Sequence, residues 1–164
     1  MTGGITVLLK NLIEEDFVNY RLPSMFLGTV NCDWKCCKEA GIDVCGCQNS
    51  GMSRLPTIDI DNVRLINRYM DNPITKAVVF GGLEPMLQFD DLRNFIEELR
   101  KVSQDDVVIY TGYYKDEIAD KLLELKMFGN TVVKFGRYIP NGESRYDDVL
   151  GVTLANKEQY AERL

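Results

Sequence analysis

Lys76-Ala77-Val78-Val79-Phe80-Gly81-Gly82 decides the fold. An apolar run too short for a helix, with two β-branched residues at its centre and two glycines at its end, describes a buried strand with an abrupt exit. Two runs of the same form follow: Asp106-Val107-Val108-Ile109-Tyr110-Thr111 before Gly112, and Thr131-Val132-Val133-Lys134-Phe135 before Gly136. Helical spacing separates them. Asp90 is expected to cap a helix with Leu92, Phe95, Ile96, Leu99 and Val102 inward, and residues 115–126 a second with Ile118, Leu122 and Leu125 inward. Strand, helix, strand, helix, strand implies an α/β fold whose parallel sheet is covered by helices. Ligands of such sheets gather at the carboxyl ends of the strands, here marked by Gly81-Gly82, Gly112 and Gly136.

Upstream, residues 5–9 and 24–30 read as short buried strands, and the segment from Cys32 to Arg54 as a loop at the same edge. Asp59 or Asp61 is expected to cap a helix burying Val63, Ile66 and Met70. Downstream, Pro140 to Asp148 reads as a polar loop, and Gly151 to Leu164 as strand or coil followed by a helix. There is no internal repeat or low-complexity linker, so one domain over residues 1–164 is expected.

Nineteen Lys and Arg against 25 Asp and Glu give a net charge of −6. Such a chain lacks the basic patch that binds nucleic acid or an anionic membrane surface. It has no histidine, which excludes imidazole bases, Ser–His pairs and His metal ligands. Its 164 residues fall short of the roughly 250 of a full eight-unit barrel. The start has no basic region of a secretory signal, and no apolar run approaches the roughly 18 residues of a membrane span. A soluble, cytoplasmic protein is expected, and in that reducing compartment an odd count of five cysteines points to metal or redox chemistry rather than disulfides.

All five lie within Cys32-Asp33-Trp34-Lys35-Cys36-Cys37-Lys38-Glu39 and Cys45-Gly46-Cys47-Gln48-Asn49. Iron–sulfur clusters are held by cysteine thiolates, and Lys35 and Lys38 favour the thiolate form. Cys36 and Cys37 are adjacent, so their side chains diverge; Cys45 and Cys47 point the same way in an extended chain. Two other readings stay open: a zinc site made from Cys32, Cys36 or Cys37, Cys45 and Cys47, and inert buried thiols. Gly81-Gly82-Leu83-Glu84-Pro85, taken alone, is a strand-ending turn. It also lets a ligand approach backbone carbonyls closely, with Glu84 as a charged acceptor for an ammonium.

The cysteine segment resembles the cluster loop of radical S-adenosylmethionine (SAM) enzymes. Cys32 and Cys36 keep the family's first spacing, whereas ten residues instead of two precede Cys47, which leaves the third ligand open among Cys47, Cys45 and Cys37. Gly81-Gly82-Leu83-Glu84-Pro85 is similar to the family's Gly-Gly-Glu-Pro motif with Leu83 inserted. Thr111-Gly112-Tyr113 resembles a strand end of the enzymes that activate anaerobic ribonucleotide reductases. The resemblance implies an open, partial parallel β/α barrel and a [4Fe–4S] cluster on Cys32, Cys36 and Cys47. It places SAM near Gly81, Gly82, Glu84 and Thr111, with SAM binding the remaining iron through its amino and carboxylate groups. It further implies reductive cleavage of SAM to a 5′-deoxyadenosyl radical that takes hydrogen from a glycine of a large glycyl-radical enzyme, an anaerobic ribonucleotide reductase. Electrons would come from a small donor such as flavodoxin or ferredoxin. A small radical enzyme of the nucleoside-modifying type and a non-catalytic zinc or iron–sulfur module are the alternatives.

Overall fold

In the computed structural model, which describes residues 4–164, the first element does not join the main sheet. Strand β1 (Thr6–Leu9) precedes β2 (Asn11–Asp16), β3 (Ser24–Gly28) and helix α1 (Lys35–Ala40). Next come β4 (Ile58–Asp61), α2 (Asn62–Asp71), β5 (Ala77–Gly81), α3 (Phe89–Arg100) and β6 (Asp106–Tyr110). The chain ends with α4 (Ala119–Met127), β7 (Thr131–Phe135), β8 (Arg145–Asp147), β9 (Val152–Leu154) and β10 (Tyr160–Arg163). β1 pairs antiparallel with β4 in a separate ribbon.

The main sheet has six strands in the order β10-β7-β6-β5-β3-β2. Its four central strands β3, β5, β6 and β7 are parallel, and the antiparallel β2 and β10 form its edges. The three glycine-stopped runs are the strands β5, β6 and β7. Registers align Leu27, Phe80, Ile109 and Val133 in one row and place Gly28 opposite Gly81, so the strand exits form a common edge. One face carries Leu27, Val78, Phe80, Ile109 and Phe135 against Leu65, Tyr69, Phe95 and Leu122 of the helices. On the other, Phe26, Val79, Val108 and Val132 meet Tyr20, Leu150 and Leu154. Strands buried on both faces explain why their sequences are continuous rather than alternating.

Several local expectations are corrected. The segment from Cys32 to Arg54 is not only loop: it holds α1 and two short 3-10 turns, Val44–Gly46 and Ser50–Arg54. Asp61 caps α2 by accepting from the Arg64 N–H, but the buried side chains are Leu65, Ile66 and Tyr69, with Val63 and Met70 exposed. The buried face is the one that packs against α3 and the core of the sheet, one residue round from the expected one. Asp90 lies inside the first turn of α3 rather than at its cap, because a 3-10 turn over Pro85–Gln88 delivers the chain into the helix. Val102 is exposed beyond its end. The helix expected over residues 115–126 starts as a 3-10 turn, Lys115–Ile118. The strand expected to reach Val30 ends at Gly28. The polar loop contains β8, and the tail ends in β10 instead of a helix, closing the sheet edge beside β7. No helix among the described residues is long and apolar enough to cross a membrane.

Candidate metal centre

At the carboxyl ends of the parallel strands lies a cavity of about 240 Å³. Cys32, Cys36, Cys37 and Cys47 line it together with Gly81, Gly82, Glu84, Thr111 and Gly112. The residues singled out in the sequence, spread over more than 70 positions, therefore share one cavity. Cys45 does not: it is exposed, with the Arg54 guanidinium 3.7 Å from its sulfur.

The cysteine wall is built by a helix too short to hold itself. α1 starts at Trp34, whose φ of 58° is left-handed, and stops at Gly41, also left-handed. The Trp34 turn folds the backbone so that its N–H donates to the Cys32 thiol at 3.3 Å. Cys36 and Cys37 diverge, as adjacent residues must. Cys36 packs over Gly112, where a Cβ would come within 3.1 Å of its sulfur. Cys37 is buried. The far end of the segment is seated by Met52, whose sulfur lies where side chains at Gly28 and Gly82 would project, 2.9 and 2.3 Å from their notional Cβ atoms. Gly82 also has φ +80°, so glycine is needed there twice over.

Burial pushes the Cys32 thiol up to about 12, against the Trp34 N–H that favours the thiolate. Burial also raises Cys36 and Cys37; for Cys36 the Tyr138 N–H, Lys134 and Arg137 oppose it. Without metal these thiols are protonated, and metal binding releases their protons.

Glu84 is buried, and it ties β5 to β6. One oxygen accepts from the Met86 N–H at 3.0 Å and the Thr111 hydroxyl at 2.7 Å; the other accepts from the Gly112 N–H at 2.8 Å. Burial raises its pKa while these bonds and Lys134 pull it back. A carboxylate has about four acceptor sites, so about one is left for a ligand.

Lys134 escaped the sequence reading. It interrupts the apolar run of β7, which was the signal. Only 6% exposed, its ammonium donates to the carbonyls of Thr111 at 3.3 Å and Gly136 at 3.1 Å, and it lines the cavity. Burial lowers its pKa to about 8, with Cys36 and Glu84 working to restore it. Arg137, just past β7, also went unread. Its guanidinium donates twice to Glu39 of α1 at 2.8 and 3.1 Å, to Glu117 at 2.9 Å and to the Gly112 carbonyl at 2.6 Å. Lys35 pairs with the same Glu117, and the two cations hold that carboxyl down at about 2.

Among the described residues no three Cys, Asp or Glu groups converge on a point that fits a single metal ion. A cluster makes a different demand, because its thiolates bind different irons and must surround a volume. Four thiols lining one cavity, with the space left open by Gly112, match that demand and the donor chemistry of iron–sulfur binding.

Residues 29–145 match a family described as a 4Fe-4S single cluster domain. That stretch includes all five cysteines, the Gly81-Gly82 turn, Thr111-Gly112, Lys134 and Arg137. No curated protein and no solved structure matches the chain.

Proposed function

Because the chain belongs to the 4Fe-4S single cluster domain family, we propose that it is a radical SAM enzyme of the activating kind. In this proposal Cys32, Cys36 and Cys47 hold one [4Fe–4S] cluster, and the product is a glycyl radical on a separate anaerobic ribonucleotide reductase. The observation that carries the reading is the shared cavity: cysteine segment, glycine pair, Glu84 and Thr111 all line it. The sheet, open at β2 and β10, is read as an open partial barrel.

Three thiolates leave one of four irons without a protein ligand. The bound cluster supplies, when reduced, the electron that cleaves a carbon–sulfur bond of SAM. The chain's own residues bind and orient. Gly81 and Gly82 allow backbone approach to the methionine end, and the remaining acceptor site of Glu84 receives its ammonium. Lys134 offers its carboxylate a buried cation, and Thr111 lies toward the ribose. Glu84 is buried, which limits water at its end of the cavity. No histidine is required.

A cavity of about 240 Å³ lies below the roughly 300–1,000 Å³ of small-molecule pockets, so it encloses no separate substrate chamber. This favours a hydrogen donor presented from outside, by a large partner. A flavodoxin- or ferredoxin-type protein supplies the electron. Mixing reconstituted protein, reductant, SAM and the candidate reductase should give a glycyl-radical doublet in electron paramagnetic resonance only when all four are present. Release of 5′-deoxyadenosine without a doublet on any reductase from the same source would instead favour a small-molecule substrate. One observation favours that second reading: a neighbouring cavity of about 420 Å³ shares Asn19, Gln48, Tyr110, Lys134 and Gln159 with the first.

A further inference from the structure

We infer that Arg137 is the positioning residue of the cluster site, fixing α1 against the exits of β6 and β7 and balancing the carboxylates through which it does so. The inference rests on the cluster alone and not on SAM chemistry. Arg137 is 4% exposed, and its contacts join two separate parts of the chain. One is Glu39 on α1; the other is the connection from β6 to α4, with the Gly112 carbonyl, the Tyr114 ring 4.7 Å from the guanidinium carbon, and Glu117. Glu39 is held by both arms of the planar fork, a geometry that lysine cannot reproduce.

What the fork restrains is the segment bearing Cys36. A six-residue helix with no side-chain bond at its N-cap and a left-handed Trp34 at its start does not define its own position. At its N-terminal side the Tyr113 hydroxyl donates to Asp33 and Lys35 pairs with Glu117. At its C-terminal side Glu39 meets Arg137. Cys36 lies between these two restraints, its sulfur over Gly112, whose carbonyl Arg137 also binds.

The same contacts carry an electrostatic consequence. Arg137 and Lys35 offset Glu39 and Glu117, so the group has no net charge beside the cysteine wall. Replacing Arg137 by a neutral side chain leaves one uncompensated negative charge there. Negative charge near a cluster opposes electron uptake, and net charge is one of the terms that set cluster potentials.

The test uses reconstituted protein carrying Arg137→Met, Arg137→Lys and Glu39→Gln, with two readouts: iron loss to a chelator, and midpoint potential from a titration followed by electron paramagnetic resonance. Arg137→Met should lose iron at least about tenfold faster, the cost expected for one lost charge-assisted bond, and its potential should move negative. Arg137→Lys should keep the wild-type potential while still losing iron faster, since it retains the charge and loses the fork. Glu39→Gln should move the potential the other way. Its side chain is half exposed, so it tests the charge effect even if Arg137→Met does not fold. A purely structural role would lower the melting temperature of the metal-free variants and leave the potentials unmoved. That outcome, or wild-type iron retention in Arg137→Met, overturns the inference.

Discussion

Glu84→Gln separates the part Glu84 plays in holding the strand exits from any part it plays in binding a ligand. Glutamine keeps one oxygen, enough for the Met86 N–H and the Thr111 hydroxyl. Its amide nitrogen then faces the Gly112 N–H, which Glu84 accepts at 2.8 Å, donor against donor. A buried donor without a partner costs about 1–3 kcal/mol. Part of this is offset, because burial disfavours the Glu84 charge and the amide carries none. The unpaired N–H is the larger effect, since Glu84 is the partner that accepts from Gly112. A net loss of about 2 kcal/mol lowers the melting temperature of a chain this long by about 4–8 °C. The assay is thermal unfolding of the metal-free protein by far-ultraviolet circular dichroism, with Thr111→Val and the double variant alongside. Thr111→Val removes the 2.7 Å bond to Glu84 and an acceptor for the Tyr113 N–H, so the two changes should be non-additive. An unchanged melting temperature, or strictly additive losses, would refute the assignment of Glu84 as the tie between β5 and β6.

Other outcomes follow from the same geometry. Cys32→Ala, Cys36→Ala and Cys47→Ala should each abolish the brown charge-transfer absorbance of the reconstituted protein, while the exposed Cys45→Ala should retain it; the reverse result at Cys45 and Cys47 would transfer the third ligand. Acid stability should depend on Asp106, whose carboxylate accepts from both arms of Arg163 at 2.7 and 2.9 Å and from the Tyr20 hydroxyl at 2.7 Å. The Arg163 bonds hold its pKa below the usual carboxylate value. A lowered folded pKa contributes stability that is complete above the unfolded value and is lost as pH falls through the folded one. Asp106→Asn should therefore be less stable at neutral pH, by about 1 kcal/mol for so exposed a pair. In denaturant melts its deficit should shrink below pH 4; a deficit independent of pH would rule out the ion pair as its source.

The parallel sheet was legible because β5, β6 and β7 are each continuous apolar runs ended by glycine, and a strand buried on both faces has no other sequence form. Which edge would carry the site followed from the same glycines. Less could be read where tertiary contacts choose between local options. β10 carries Glu162 and Arg163, and it is a strand because an unpaired edge of β7 lies beside it. α1 has too few residues for a periodicity, and it exists because Arg137, Glu117 and Tyr113 dock it. The buried face of α2 turned on its packing against α3 and the sheet core, which no local pattern encodes. Lys134 and Arg137 were hidden for a related reason: a basic residue in or beside a strand reads as surface until the fold shows that its head group lies in the interior.

The most direct measurement of the central claim is 5′-deoxyadenosine release from anaerobically reconstituted, chemically reduced protein supplied with SAM. The expected result is four irons per chain and release of 5′-deoxyadenosine that disappears in Cys32→Ala, Cys36→Ala and Cys47→Ala. Full cluster loading with no release of 5′-deoxyadenosine would contradict the account and leave the chain an iron–sulfur protein without SAM chemistry.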